Sequence, residues 1–346
     1  MLRMIERETQ LILERHYLTK PKFPAIDFHT HFGNLFGSMV RSDDYLNLYD
    51  TKEVIEKIQS YGIKRVVNLD GGWGEEYLRM QEKLSEAGDF IIHFGQLPVE
   101  RFEEKDFEGF IYKTIRELHN NGVKGLKFWK IIGLAIRDKT GAYLRPDDER
   151  LRCIWQTAAE FDMPVLFHIA DMIAFFLPLD EKNEYRETLE ENPEWIYDDP
   201  GLYSFAQLLQ MQENLLEQNP DTIFIIPHVG GNAENLRQVS QWLNRFPNMY
   251  VDIADRLSEL GRQPYSSKDF FEVHAGRILL GTDLLPNDIE RYPIYFRFLE
   301  TKDEYFSYRT DNGVFLGDWH IYGIGLSDDV LKKVYYENAE SLLKIR

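Results

Sequence analysis

The sequence predicts a (β/α)8 barrel. Two observations carry that expectation. Eight short runs rich in β-branched and aromatic residues alternate with stretches of helical periodicity. The first strand also lacks the glycine-rich turn that would open a doubly wound sheet. Length agrees, because 346 residues exceed the roughly 250 that such a barrel uses and leave room for insertions. Apolar residues at 43% and aromatics at 14% suffice for one large core.

The expected strands lie at 25–29 (AIDFH), 63–69 (IKRVVNL), 90–97 (FIIHFGQL), 123–130 (VKGLKFWK), 164–169 (PVLFHI), 222–228 (TIFIIPH), 249–253 (MYVDI) and 277–283 (RILLGTD). Helical stretches between them include 51–59, 105–120, 147–161, 205–218 and 232–246. The opening segment, MLRMIERETQLILERHYLTK, is amphipathic and charged throughout, so it reads as an extra helix and not as a leader. Residues 171–201 and 302–325 are long, aromatic-rich loops, expected to form ordered caps over one mouth of the barrel. Residues 327–343 read as a closing helix, and 1–346 as one domain whose barrel core spans about 23–300.

A net charge of −18 argues against a nucleic-acid or anionic-membrane partner and leaves small molecules as the expected ligands. No run of apolar residues is long enough for a membrane span. Cys153 is the only cysteine, which rules out a disulfide framework or a thiolate metal site and fits a cytoplasmic location. Assembly into a homo-oligomer is left open.

The segment FPAIDFHTHFGN places Asp27, His29 and His31 at alternate positions of one strand. Alternate residues share a face, with Cα atoms about 7 Å apart, so two imidazoles there can converge on one divalent cation. An H-x-H pair also arises by chance in a core. Placement makes the difference: His168, His228, Asp283 and Lys127 fall at or near the ends of the fifth, sixth, eighth and fourth strands. Barrel active sites are assembled from those ends. His16, His119, His274 and His320 are expected to be ordinary surface residues, and His93 a core residue.

The motifs DFHTHFG, GLKFWK, PVLFHIA, IIPHVGGN, ILLGTD and YYENAESLL, in that order, resemble the successive strand ends and final helix of the amidohydrolase superfamily, in its amidohydrolase-related (type 2) branch. The resemblance implies a metal-dependent TIM barrel. It assigns His29, His31, His168 and Asp283 as ligands of a divalent metal, zinc before manganese, one ion or two. His228 would orient water or polarise the substrate. Lys127 matches a lysine that some members carboxylate to bridge two metals; an unmodified lysine paired with an acid or with substrate is the other reading. A glutamate is usual at this place in TatD-like nucleases, from which the sequence departs.

The chemistry expected of that set is hydrolysis of an amide, ester or lactone by a metal-activated water, with Asp283 moving the proton. Candidate substrate contacts are Trp73 in GGWGE, Trp129 and Lys130 at the end of the fourth strand, with Lys130 three residues from Lys127 and so on the opposite side of a regular strand, Phe175 in the loop after the fifth, and Arg256 and Arg262 after the seventh. The arginines suggest an anionic substrate group. A decarboxylase or hydratase built on the same ligands is the alternative. A catalytically inactive binding barrel is a third reading, against which the intact ligand set argues.

Overall fold

The computed structural model describes residues 9–33, 49–309 and 316–345. Eight strands pair in parallel and in chain order: β1 (Ala25–Thr30), β2 (Ile63–Asn68), β3 (Ile91–Gly95), β4 (Gly125–Phe128), β5 (Val165–Phe167), β6 (Phe224–Ile226), β7 (Met249–Asp252) and β8 (Ile278–Leu279). Each falls within the run expected of it or within one residue of it. The seam between β8 and β1 is drawn together by Phe28 N–H to Leu280 O at 2.8 Å, Asp283 N–H to His29 O at 2.9 Å and His31 N–H to Leu284 O at 2.9 Å. The result is a nearly closed TIM barrel.

Alternation fills the interior. Ile26, Phe28, Val67, Leu69, Ile92, Phe94, Leu166, Ile225 and Leu279 form one apolar cluster, joined by Ala339 and Leu343 of the closing helix. A larger cluster lies between strands and helices and contains Ile58, Ile111, Ile115, Trp155, Leu208, Val239 and Leu243. Helix starts carry their own signals. Asp50 accepts from Glu53 N–H ahead of Thr51–Ser60, and Ser204 with Gln207 makes a capping box ahead of Phe205–Gln218. The closing helix runs from Asp328 to Leu343 through a π-turn at Lys333–Glu337. Val334 O there accepts the N–H of Leu280, just past β8, at 3.0 Å, which fastens the helix to the barrel.

Four expectations change. Residues 9–24 hold no helix, and residues 1–8 lie outside the described part. That stretch is instead pinned by His16, whose N–H and ring Nδ1 meet the Asp303 carboxylate at 2.7 and 2.6 Å. Asp27 does not share the histidines' surroundings. The register between β1 and β2 shifts between Asp27 and Thr30, and the Asp27 carboxylate accepts from Thr282 Oγ1 and from Tyr292 OH on the flanking helix Tyr292–Glu300. His274 is buried, with Nε2 2.5 Å from Ser240 Oγ. Lys130 lies beyond the end of β4, so strand alternation does not send it away from Lys127.

The loop at 171–201 is an ordered cap. It holds the short helix Arg186–Glu191 and packs Met172, Phe175, Tyr185 and Leu189 with Leu316 and Trp319 from the loop after β8. The second loop adds a two-stranded ribbon, Phe306–Ser307 with His320–Ile321; its residues 310–315 lie outside the described part.

Gly281 sits at the seam. A Cβ there would stand 2.9 Å from His29 Cβ and 3.1 Å from Asp252 Cβ, closer than packed side chains come. Gly281→Ala should therefore cost about 1–3 kcal/mol, the usual penalty of overpacking. Urea unfolding measures it, and an unchanged midpoint would show the seam to be slack.

Candidate metal centre

His29, His31 and Asp283 offer three ligand atoms that all lie within 4.8 Å of one another at the C-terminal mouth of the barrel. Asp283 Oδ1 stands 3.3 Å from His29 Nε2 and 2.9 Å from His31 Nε2. The rings are aimed from behind. Asp252, ending β7, meets His29 Nδ1 at 2.7 Å, and Asp70, just past β2, meets His31 Nδ1 at 2.9 Å. An ionised carboxylate can only accept, so each Nδ1 carries the proton and each Nε2 is left to face Asp283. Carboxylates behind imidazoles in this way orient metal ligands in general.

The other strand-end residues gather beside these three. His228 follows β6 and its ring centroid lies 5.1 Å from that of His29 and 4.5 Å from that of His168. Its Nδ1 meets Ala254 O at 2.9 Å. A carbonyl accepts only, so Nε2 of His228 is unprotonated and can hold a water proton or a cation; it cannot donate to an oxyanion. The residue sits in a left-handed turn, with φ of 56° at His228, 58° at Val229, 71° at Gly230 and 66° at Gly231. Such a conformation costs non-glycine residues about 1–2 kcal/mol each. Asp252 Oδ1 holds the turn by accepting from His228 N–H at 2.9 Å.

His168 stands slightly apart. Its Nε2 is 3.1 Å from Asp171, which also accepts from Tyr197 OH at 2.5 Å and pairs with Lys130. Lys127 is buried at the end of β4, with Nζ 4.3 Å from the centre of the Trp129 ring and no hydrogen-bond partner among the described residues. Trp129 in turn stacks on His31, centroids 5.2 Å apart.

Electrostatics separate the groups. Burial opposes a charged His31, but Asp70 and Asp283 outweigh it and raise its pKa to about 9. Burial dominates at His168, which falls to about 4, and at His228, which lies well below the usual imidazole value. Asp283 is held well below the carboxylate range because His29 and His31 overcome its burial. Burial lowers Lys127 to about 8 against the pull of Asp283, Asp252 and Asp70.

The remaining candidates divide. Arg256 is 3% exposed, donates to Asp255 O at 2.7 Å and makes no ion pair among the described residues. Arg262 is committed to Glu184 at 2.8 Å and lies over Trp319. Phe175 belongs to the cap's own core, stacked on Trp195. Trp73 packs edge-on against Phe110 at the start of Gly74–Lys83. Lys130 is matched by Asp171. Arg262, Phe175 and Lys130 thus have structural occupations that sequence spacing could not reveal. Asp70, Asp252 and Asp171 were missed, although Asp70 and Asp252 carry the signal used for Asp283, an acid at a strand end.

Two imidazole nitrogens and a carboxylate, with an orphaned buried amine alongside, fit a divalent transition metal. The donor set also fixes two opposed pH trends. A His31 pKa raised from 6.5 to about 9 stabilises the metal-free fold fully below pH 6.5, and that contribution is lost as pH climbs through 9. Metal binding needs Nε2 deprotonated, so affinity should rise over the same window. Chelator-treated protein should lose on the order of 1–3 kcal/mol of unfolding free energy between those limits while its zinc dissociation constant falls. Parallel trends would place the proton elsewhere.

No curated protein matches the sequence. Solved structures match in fold. A dihydroxybenzoic acid decarboxylase from Polaromonas sp. JS666, with bound manganese and the inhibitor 2-nitroresorcinol, has TM-score 0.59 and 15% identity, covering 93% of this chain and 97% of that one. A probable 2-pyrone-4,6-dicarboxylic acid hydrolase from Acinetobacter baumannii, with citric acid bound, has TM-score 0.51 and 8% identity, covering 93% and 100%. A 4-oxalomesaconate hydratase from Rhodopseudomonas palustris has TM-score 0.50 and 12% identity, covering 92% and 95%. The sequence model of the Amidohydrolase family matches residues 26–345, from β1 through the closing helix, and the chain belongs to that family.

Proposed function

We propose that this member of the family is a metal-dependent hydrolase that opens an amide, ester or lactone bond in a small anionic substrate. The observation that carries the reading is the position of Asp283, whose carboxylate faces both His29 Nε2 and His31 Nε2 while its side chain stays 28% exposed to the mouth. His29, His31 and Asp283 would hold the ion; Lys127, His168 and His228 are the side chains available to a second. A divalent ion bound there supplies Lewis acidity and acidifies water.

The chain's own residues supply the rest. Asp283 is the carboxylate open to the mouth, so it takes a proton from the attacking water and returns it to the leaving group. His228, neutral and with Nε2 bare, accepts a hydrogen bond from that water and fixes its direction. Arg256, a buried guanidinium with a single side-chain hydrogen bond among the described residues, to the backbone of Asp255, is suited to a substrate carboxylate. The ring of Trp129 walls the site beside His31. A lyase is the second reading, favoured by Lys127: a buried amine without a hydrogen-bond partner among the described residues can hold the substrate carboxylate that is to leave as CO₂ or hand a proton to carbon.

Metal content comes first. Protein dialysed against zinc or manganese should retain about one equivalent or more, and joint loss of His29 and His31 should abolish it. Less than about a tenth of an equivalent in the native chain defeats the proposal. If a second ion is bridged by a carboxylated Lys127, Lys127→Ala lowers the content by one equivalent.

The reaction class follows from isotope labelling, once a substrate emerges from amides, lactones and aromatic carboxylates. Hydrolysis in H₂¹⁸O places ¹⁸O in the product acid, and Asp283→Asn should slow turnover by about 10²–10⁴-fold. Unlabelled product with stoichiometric CO₂ would instead assign a decarboxylase.

A further inference from the structure

We propose that Asp252 is the positioning residue that assembles His29 and His228 as one unit, fixing the tautomer of the first and the left-handed turn of the second. The His29 half of this inference rests on the metal reading above.

Asp252 is fully buried at the end of β7, and both of its oxygens are engaged. Oδ2 meets His29 Nδ1 at 2.7 Å; Oδ1 accepts from His228 N–H at 2.9 Å and from Ala254 N–H at 3.0 Å. Ala254 then returns its carbonyl to His228 Nδ1 at 2.9 Å. One carboxylate thus holds the backbone of residue 228 directly and the ring of residue 228 through residue 254. Its other oxygen keeps a proton on His29 Nδ1, so Nε2, which faces Asp283, is the nitrogen left to give up its proton to an arriving cation. Asp70 serves a single imidazole. It meets His31 Nδ1 at 2.9 Å and accepts from Gly33 N–H at 3.2 Å, with no bond to another imidazole-bearing residue.

Asp252→Asn separates the two roles of the carboxylate. The two backbone N–H groups require an acceptor, so the amide oxygen of the variant stays with them. Its NH₂ then faces His29 Nδ1, which must accept, and the ring proton moves to Nε2. The turn is kept and the ligand lone pair is lost. Zinc affinity, measured by competition with a chelator, should fall on the order of 10–100-fold. In protein labelled with ¹⁵N-histidine and loaded with zinc, the His29 Nε2 signal should change from unprotonated to protonated, while that of His228 holds. The thermal midpoint of the chelator-treated variant should stay within a few degrees of the native chain. Asp70→Asn should weaken zinc binding through His31 alone. Asp252→Ala removes both supports, so the His228 signals should shift as well.

A zinc dissociation constant for Asp252→Asn within about threefold of native, well below the loss expected of an orienting partner, overturns the inference and leaves the metal reading standing. So does an unfolded Asp252→Asn chain, which would make the residue structural. A native chain that takes up no zinc or manganese overturns the metal reading, and this inference with it.

Discussion

The seam where β8 meets β1 is the constraint on which the site depends. Asp283 N–H bonds to His29 O at 2.9 Å, while the Asp283 carboxylate reaches the ring of the same histidine at 3.3 Å. A backbone hydrogen bond therefore sets the separation of the two candidate ligand side chains. The left-handed φ of 61° at Asp283 turns its carboxylate inward from a chain leaving the barrel. Gly281 lets the strands approach, and Val334 O from the closing helix secures Leu280 from the other side. The first and last strands of the barrel meet there, so the candidate centre is assembled only when the whole barrel has closed.

Burial alone does not determine protonation in this mouth. His31 and His168 are both buried, yet their pKa values move in opposite directions, to about 9 and about 4. The difference lies in the acids behind them. Asp70 and Asp283 face His31 with their charge available. Asp171 beside His168 is already matched by Lys130 and bonded by Tyr197, so it lifts His168 less than burial lowers it. The arrangement leaves one side of the site rich in proton-holding groups and the other lined by neutral imidazoles.

The eight strands were legible because each is a short apolar run whose length and flanks admit no other reading. The strand-end histidines and Asp283 were legible because barrel topology carries such ends to one mouth. What sequence could not show was occupation by partners. Lys130 and Arg262 resemble free cations until their acids, 41 and 78 residues away, are found beside them. Asp27 shares an alternation with His29 that the register shift in β1 breaks. The opening segment has helical periodicity, but residues 9–24 form no helix and are anchored by His16 on Asp303, a tertiary contact that overrides a local preference. The left-handed turn at 228–231 was visible only as two glycines, with nothing to mark His228 and Val229 as sharing it.

The cap has a core of its own. Phe175 stacks on Trp195, and Tyr185 meets Trp319 edge-on at 5.0 Å, joining two loops far apart in the chain. Those contacts draw on the loops after β5 and β8 and not on the barrel interior. The candidate centre and the cap are thereby held in separately packed layers. A substitution confined to the upper layer can therefore reshape what stands over the mouth while the imidazoles and carboxylates beneath keep their places.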